Sequence, residues 1–480
     1  MSVLVVGAGP TGLVLACGLL EAGVPVRLVD AAPGPATTSR ALGLQPRGVE
    51  VLDRLGALAD LPERGLPLRA VVISVDGVEI TRLRVGGRTK LVSRPGVVIS
   101  QAEIEGALRH RLADLGGRVE WNTALTDLPA SGWVVGCDGA HSRVRKAAGI
   151  GFPGVPLIER FIVADLHADL PLPRDAVSAW LAGDRMFALF PLPGGDLWRV
   201  LAPEPDGATD EMDMESLVTA LLPENTGLPA AAITGFEWTS RFRIHRRLAG
   251  TYRSGRVLLA GDAAHIHSPM GGQGMNTGMG DAENLAWKLA LVERGRAGEA
   301  LLDTYEAERR PIALEVLGNT SSMTRTMLGR TLAERLVRDH VVVPLMNRRF
   351  VQRLITDASS QLRVSYQRGP LGSAYGWIGR GPHDGDRIAD LACARTDGSR
   401  TRLHAELRGR WAVLTADDAA ARVARNHLGE TAVVTLRCAD LSQTYLVRPD
   451  GHLACRGPAA RLEAWLSTSL GAPRSTRVAA

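Results

Sequence analysis

The residues with the clearest chemical meaning stand at the very start of the chain, where Gly7-Ala8-Gly9-Pro10-Thr11-Gly12 separates the apolar run 3–6 from an apolar helical stretch. Gly7 permits a tight turn, Gly9 lets backbone amides approach a pyrophosphate, and Gly12 lets helix and strand pack closely. Pro10 and Thr11 open a helix whose positive end would face the phosphates. A second strand, Pro25-Val26-Arg27-Leu28-Val29, ends on Asp30, 18 residues after Gly12 and close to the roughly 20 expected of a dinucleotide-binding βαβ unit. Asp30 can accept the hydroxyls of an adenosine ribose. An acid followed by Ala31-Ala32 rather than a basic residue suits a free 2'-hydroxyl, and so FAD or NAD rather than NADP in this first site.

Two later segments belong with this cradle. The first, Val134-Val135-Gly136-Cys137-Asp138-Gly139-Ala140-His141, reads as a strand entering a turn, and on its own an Asp-Gly pair there is a common turn. The second reads as a buried strand delivering Gly261-Asp262, then Pro269-Met270-Gly271-Gly272-Gln273-Gly274-Met275-Asn276, then a helix over about 281–293. Asp262 can bond sugar or ribityl hydroxyls, and the glycine run leaves room for a flat tricyclic ring. Amides near Met275 and Asn276 would face the negative edge of a reduced flavin, a preference of about 0.3–2 kcal/mol at a helix N-terminus.

In this order and spacing, the three segments resemble the class A flavoprotein monooxygenases, the FAD-dependent aromatic hydroxylases, over about 1–370. The resemblance makes Gly7, Gly9, Pro10, Thr11, Gly12, Asp30, Asp138, Asp262, Pro269, Gly271, Gly272, Gly274, Met275 and Asn276 cofactor-binding residues. It implies that Arg40, in Ser39-Arg40-Ala41-Leu42-Gly43, lies by the FAD and helps control flavin movement. It likewise puts Gln101 at the ribityl and phosphate region and the Leu125 backbone at adenine. The resemblance also implies that NADPH, or NADH, visits transiently while the flavin swings outward; a two-cradle reductase would need a second nucleotide fingerprint, and the sequence shows none. O2 would add at flavin C4a to give a hydroperoxide that oxygenates a phenolic or polyketide-type aromatic. Baeyer-Villiger chemistry or inactivation of an antibiotic on the same scaffold is the alternative enzyme reading, and a non-catalytic flavin-binding scaffold the alternative of a different class. No side chain is assigned as a catalytic acid or base; His265 and His267 are read as packed or hydrogen-bonded. Halogenase chemistry is disfavoured by the absence of a WxWxIP segment.

The late Gly261-Asp262 strand must return to the first sheet, so the domains interleave, and the resemblance implies an α/β fold: a Rossmann-like FAD-binding domain (GR2-type) interleaved with a mixed β-sheet substrate domain, plus a C-terminal thioredoxin-like domain. The expected division is 1–172 with 254–370 for the FAD-binding domain and its long helices, 173–253 for the substrate sheet, and 371–480 for the C-terminal domain. Strand-like runs at 177–192, 198–202 and parts of 232–245 would roof the ring, with Trp180, Phe187, Phe190 and Met270 as candidate substrate residues, though core packing competes for each aromatic. Helical pattern follows over 299–365, then a Gly and Pro cluster at 368–382 marks a linker. Strands at 411–414, 432–436 and 445–451 resemble the thioredoxin-like tail of polyketide hydroxylases. Without a CxxC pair, the tail is expected to pack or to form a dimer contact rather than perform thiol chemistry. Three departures from the family pattern stand out: a short stretch between Arg118 and Gly136, Gly280 in place of a larger polar residue, and bulky Met270 beside the ring.

The 480 residues, 45% hydrophobic and 22% charged, fit a globular protein of two or three domains. A net charge of +5 from scattered Arg, with only Lys90, Lys146 and Lys288 as lysines, gives no nucleic-acid patch. Charges interrupt every long apolar run after the N-terminal strand and helix, so no membrane span is expected. The five cysteines, Cys17, Cys137, Cys393, Cys438 and Cys455, are widely spaced and are expected as buried free thiols in a cytoplasmic protein. A homodimer is compatible with this reading.

Overall fold

The computed structural model describes residues 3–37, 41–89, 91–267, 272–329, 331–372, 381–439 and 441–471. Three sheets organise it. The first has six strands in the order Arg253–Ser254, Val257–Leu259, Val134–Gly136, Val3–Val6, Val26–Val29, Val119–Glu120, all parallel except the Arg253–Ser254 edge. Its central strands are short runs rich in Val and Leu, with Val134–Gly136 and Val257–Leu259 buried at every residue, as a buried parallel sheet requires. Val257–Leu259 joins strands from the first half of the chain, so the Gly261-Asp262 turn emerges beside the N-terminal glycine turn.

Helix Pro10–Glu21 lies against this sheet, between helices Gln101–Asp114 and Gly274–Glu293. Gly18 sets the second of these approaches, since a methyl group there would meet Ala286 Cβ at 2.8 Å. Gly274–Glu293 is 20 residues long and starts seven residues ahead of the expected 281. Its three glycines hide the start from propensity.

The second sheet has eight strands, in the order His265–Ile266, Ile233–Leu248, Gly154–Ala168, Leu197–Pro203, Arg185–Pro191, Ala176–Ala182, Ala70–Val75, Val78–Arg84. It therefore draws on more chain than the expected 173–253. Ala70–Val75 pairs in parallel with Ala176–Ala182, Ala70 opposite Ala176. That pairing spans about a hundred residues of chain and leaves no local pattern. Helix Met214–Thr226 covers one face through Val218, Leu221 and Leu222, which pack on Ile162, Phe187, Trp198 and Val200. Ile73, Phe161, Val163, Met186 and Leu201 point to the other face, where Val343 packs.

Beyond the Gly and Pro cluster, of which 373–380 lies outside the described residues, a third sheet runs Val433–Leu436, Trp411–Leu414, Tyr445–Val447, Leu453–Arg456. The first two strands are parallel and joined by helix Asp418–Leu428, the rest antiparallel, and helix Ala459–Leu470 closes the unit. The cysteine expectation is corrected in part. Cys393 and Cys438 form a disulfide, because the antiparallel bridge between Ala394 and Arg437 brings their Cα atoms to 4.6 Å. Cys17, Cys137 and Cys455 are buried free thiols. Among the described residues no helix is long and apolar enough to cross a membrane.

Candidate functional site

The N-terminal turn is built around close contacts that only glycine allows. Gly7 has φ +103°, and a Cβ there would meet the Cys137 carbonyl oxygen at 2.3 Å, so it locks the first turn against the Asp138 segment. A Cβ on Gly12 would lie 1.9 Å from the Gly7 carbonyl oxygen. Gly9 differs, because a Cβ there would meet nothing within 4 Å. It is the N-cap of helix Pro10–Glu21, which has no side-chain cap, so the first amides of the helix face the open space in front of Gly9.

Asp30 closes the far side. Its Oδ2 accepts from the Ala8 amide at 2.7 Å and its Oδ1 from the Ala32 amide at 2.8 Å, which fixes the carboxylate and leaves each oxygen a lone pair for a ribose hydroxyl. The Thr123 amide donates to the Asp30 carbonyl, bringing the half-buried Leu125 alongside. Gln101 is the first residue of a helix capped by Ser100, and its Nε2 donates to Glu105 Oε1 at 2.7 Å. Burial raises the Glu105 carboxyl above its usual range against the pull of Gln101 and Arg109, and the charge of Asp30 adds to the rise. Arg109 Nη1 is buried without a hydrogen-bond partner. Glu105 and Arg109 were missed in the sequence, although 101, 105 and 109 recur at the i, i+4 spacing of one helix face.

Asp138 has a local task. Its Oδ2 accepts from the Arg143 and Val144 amides at 2.7 and 3.1 Å and its Oδ1 from Ser142 Oγ at 2.5 Å, so it ties the turn to helix Arg143–Ala147. Gly139, at φ +76°, presents open space.

Asp262 is exposed to the cleft. Surrounding protein desolvates the carboxyl and raises it above the ordinary range, with His265 opposing and Asp281 adding to the rise. Behind it, fully buried Asp281 accepts from the Gly261 amide at 3.1 Å, meets His265 Nε2 at 2.7 Å and receives Arg309 Nε at 2.7 Å. Burial alone would raise Asp281; Arg309 and His265 hold it below its usual value. The packed reading of His265 therefore fits the geometry. Thr11 packs beneath this turn, since Cβ atoms on Gly261 and Gly278 would each come within 2.5 Å of Thr11 Oγ1.

Helix Gly274–Glu293 has no side-chain cap on its N-cap residue Gln273, so its first amides are open where Gly274 and Met275 stand half-buried. Buried Asn276 acts as a staple: Oδ1 accepts from the Gln45 amide at 3.0 Å, and Nδ2 donates to the Gly43 and Gly272 carbonyls at 2.9 and 3.2 Å. Gly272 has φ +61°. Arg40, Pro269, Met270 and Gly271 lie outside the described residues.

The proposed substrate aromatics are not brought together. Phe187 is fully buried beneath helix Met214–Thr226, with Trp180 packed edge-on at 6.4 Å, so this face is a core rather than a lining. Phe190 belongs to the opposite face, as do Trp238 and Phe242. Strand alternation explains the split: Phe187 and Phe190 are three residues apart and so point to opposite sides. On the Phe190 side Arg199 grips Asp165 bidentately at 2.6 and 2.7 Å, a pair the sequence reading did not single out.

Known proteins bear on this site. The family of FAD binding domains matches residues 1–132 and 130–320. A 6-methylpretetramide 4-monooxygenase of Streptomyces rimosus is 35% identical over 507 residues, covering 95% of this chain and 90% of that protein. The chain belongs to the FAD-dependent aromatic monooxygenases. A rifampicin monooxygenase of Rhodococcus hoagii is 33% identical over 99% of both chains. The solved structure of OxyS anhydrotetracycline hydroxylase from Streptomyces rimosus superposes with a TM-score of 0.77 at 31% identity, covering 98% of this chain and all of that one.

FAD fits the residues this monooxygenase presents. The uncapped amides and the open space at Gly9 suit a pyrophosphate, Asp30 keeps lone pairs for the ribose, and Asp262 is an exposed acidic residue beside the two glycine turns. The uncapped helix at Gly274 would offer amides to the electron-rich edge of the ring.

Proposed function

We propose that the chain hydroxylates a phenolic or polyketide-type aromatic compound with NADPH as reductant: substrate, O2, NADPH and a proton give hydroxylated product, NADP+ and water. Bound FAD supplies the redox chemistry, accepting hydride and activating O2. The chain's own residues hold and screen it. Amides at Gly9 and at the Gly274 helix start bind negative charge, Asp30 and Asp262 hold hydroxyls, and the eight-stranded sheet keeps water from the ring. The face of that sheet bearing Phe190, Trp238 and Phe242 is the proposed substrate side. The observation carrying the reading is the exposed Asp262 set between two uncapped helix starts, in a chain alignable over nearly its whole length with aromatic monooxygenases. We take residues 381–471 as a thioredoxin-like domain without the CxxC pair, on the strand order in which two parallel strands precede an antiparallel hairpin and a closing helix.

Likeness to a rifampicin monooxygenase across 99% of the chain supports a second reading, oxidative inactivation of an antibiotic on the same scaffold. One experiment addresses both. NADPH consumption by the FAD-loaded protein is followed with phenolic polyketides and with rifamycins, and product masses are recorded. Stimulated consumption with a gain of one oxygen in a phenol supports hydroxylation. Oxygenation confined to the rifamycins supports the second reading, and stimulation by none of them overturns the proposed substrate class.

A further inference from the structure

The elements that face the flavin and the C-terminal unit share one buried ionic network. Arg448, from the loop after strand Tyr445–Val447, is about 1% exposed at its side chain and bridges two carboxylates. Its Nη1 and Nη2 donate to Glu308 Oε1 and Oε2 at 2.8 and 3.1 Å, and its Nε donates to Asp450 Oδ1 at 3.0 Å. From there the contacts run toward the cleft. Glu308 Oε2 accepts from Asn284 Nδ2 and Lys288 Nζ, both at 2.7 Å, and Asp450 Oδ2 accepts from Asn284 Nδ2 and Trp287 Nε1, both at 3.2 Å. All three donors lie on helix Gly274–Glu293, whose uncapped N-terminus would meet the flavin. The Asp450 carbonyl also accepts from Arg47 Nη2 at 3.1 Å, on the helix that follows Gln45, the residue stapled by Asn276.

Next to Glu308, Arg309 donates to the Asp281 carboxylate, to the Thr277 carbonyl in the first turns of the same helix, and to Tyr366 Oη. Arg448 lies over the Tyr366 ring at 5.0 Å. Asp281 ends the chain of contacts on the Gly261 amide, one residue before Asp262.

Buried ion pairs are weak contributors to stability, because well-packed apolar residues commonly do as well; their best-attested use is to specify one geometry. Here the network touches three flavin-facing elements: the Gly261-Asp262 turn, the start of helix Gly274–Glu293 and the helix after Gln45. We propose that Arg448 and Asp450 are positioning residues for the flavin, so that the C-terminal unit completes the cofactor site from behind without touching the cofactor. The inference rests on FAD being the group bound at Asp262.

The test uses the full-length protein. Arg448→Gln and the milder Arg448→Lys, which keeps the charge but loses the fork, are compared with Leu446→Ala, a cavity in the same unit outside the network. Three quantities are measured: hydrogen exchange at the Gly261 amide in the FAD-free protein, the FAD dissociation constant, and the flavin midpoint potential. Arg448→Gln is expected to accelerate exchange at Gly261, raise the dissociation constant by about tenfold, the order of a coupling between linked sites, and move the potential. Arg448→Lys should fall between, and Leu446→Ala should lower thermal stability while leaving all three close to wild type. If Arg448→Gln does not fold, Arg448→Lys against Leu446→Ala decides alone. Equal losses in the two, or no change at Gly261 and in affinity, would overturn the proposal. Failure of wild type to bind FAD would instead overturn the flavin reading itself.

Discussion

Two aspartates that look alike in sequence have different work. Asp138 spends its oxygens on Ser142, Arg143 and Val144, within six residues of itself, whereas Asp262 is exposed. Removing the first should act through the turn; removing the second should act on the cofactor. Asp262→Ala is expected to fold normally and weaken FAD by about 1.5–3 kcal/mol, the range of a hydrogen bond to a charged group. Titration of the FAD-free variant with FAD, followed by flavin fluorescence quenching, checks this. Unchanged affinity would mean that the carboxylate does not hold the cofactor. Asp281, by contrast, holds Gly261, His265 and Arg309, so its loss should show first in the stability of the turn.

At the scale of elements, the cleft depends on how closely helices Pro10–Glu21 and Gly274–Glu293 approach. Thr11 of the first sits against Gly278 of the second, and a Cβ on Gly278 would lie 2.5 Å from Thr11 Oγ1 and 3.2 Å from Gly261 Cα. Gly278→Ala should therefore cost about 1–3 kcal/mol by overpacking, although alanine is the better helix former. Urea unfolding would measure it, and a gain in stability would show that the helices have room to part. The glycine turn, the strand to Asp30 and the Gly261-Asp262 segment were legible because each is a local strand–turn–helix unit with residue types that only one geometry uses. The eight-stranded sheet was legible as strands at 177–192 and 198–202 but not in extent, because Ala70–Val75 finds its partner about a hundred residues away. The facing of Phe187 and Phe190 depends on which side helix Met214–Thr226 covers, a fact of packing rather than of pattern. The Cys393–Cys438 pairing was hidden for the same reason.

Over the whole molecule, the C-terminal unit is joined to the flavin-binding part by charge as well as by apolar packing. Trp411 meets Trp287 edge-on at 5.2 Å, while Arg387 pairs with Glu50 and Arg448 with Glu308. Burial would raise both glutamates, but Arg387 acting on Glu50 and Arg448 on Glu308 override it and hold each carboxyl at about 2. Burial also lowers His404 and His452 to about 4, so both are neutral in the folded state near neutral pH. The two groups act in the same direction. The histidines take up a proton in the unfolded chain below an ordinary value of 6.5 but resist it in the folded one, so stability falls from there toward pH 4. The glutamates contribute fully above an ordinary 4.5, and their contribution is lost as pH falls toward 2. Each group is worth on the order of 3 kcal/mol by this linkage. The unfolding midpoint in urea is thus expected to fall steadily from neutral pH into the acid range. The change should appear in tryptophan fluorescence, because Trp287, Trp411 and Trp465 meet at this junction. Release of FAD should accompany it, since the same carboxylates hold the helices that face the flavin. A midpoint that stays flat down to pH 4 would mean that the junction carries no linked protons, and that the C-terminal unit is held by its tryptophans alone.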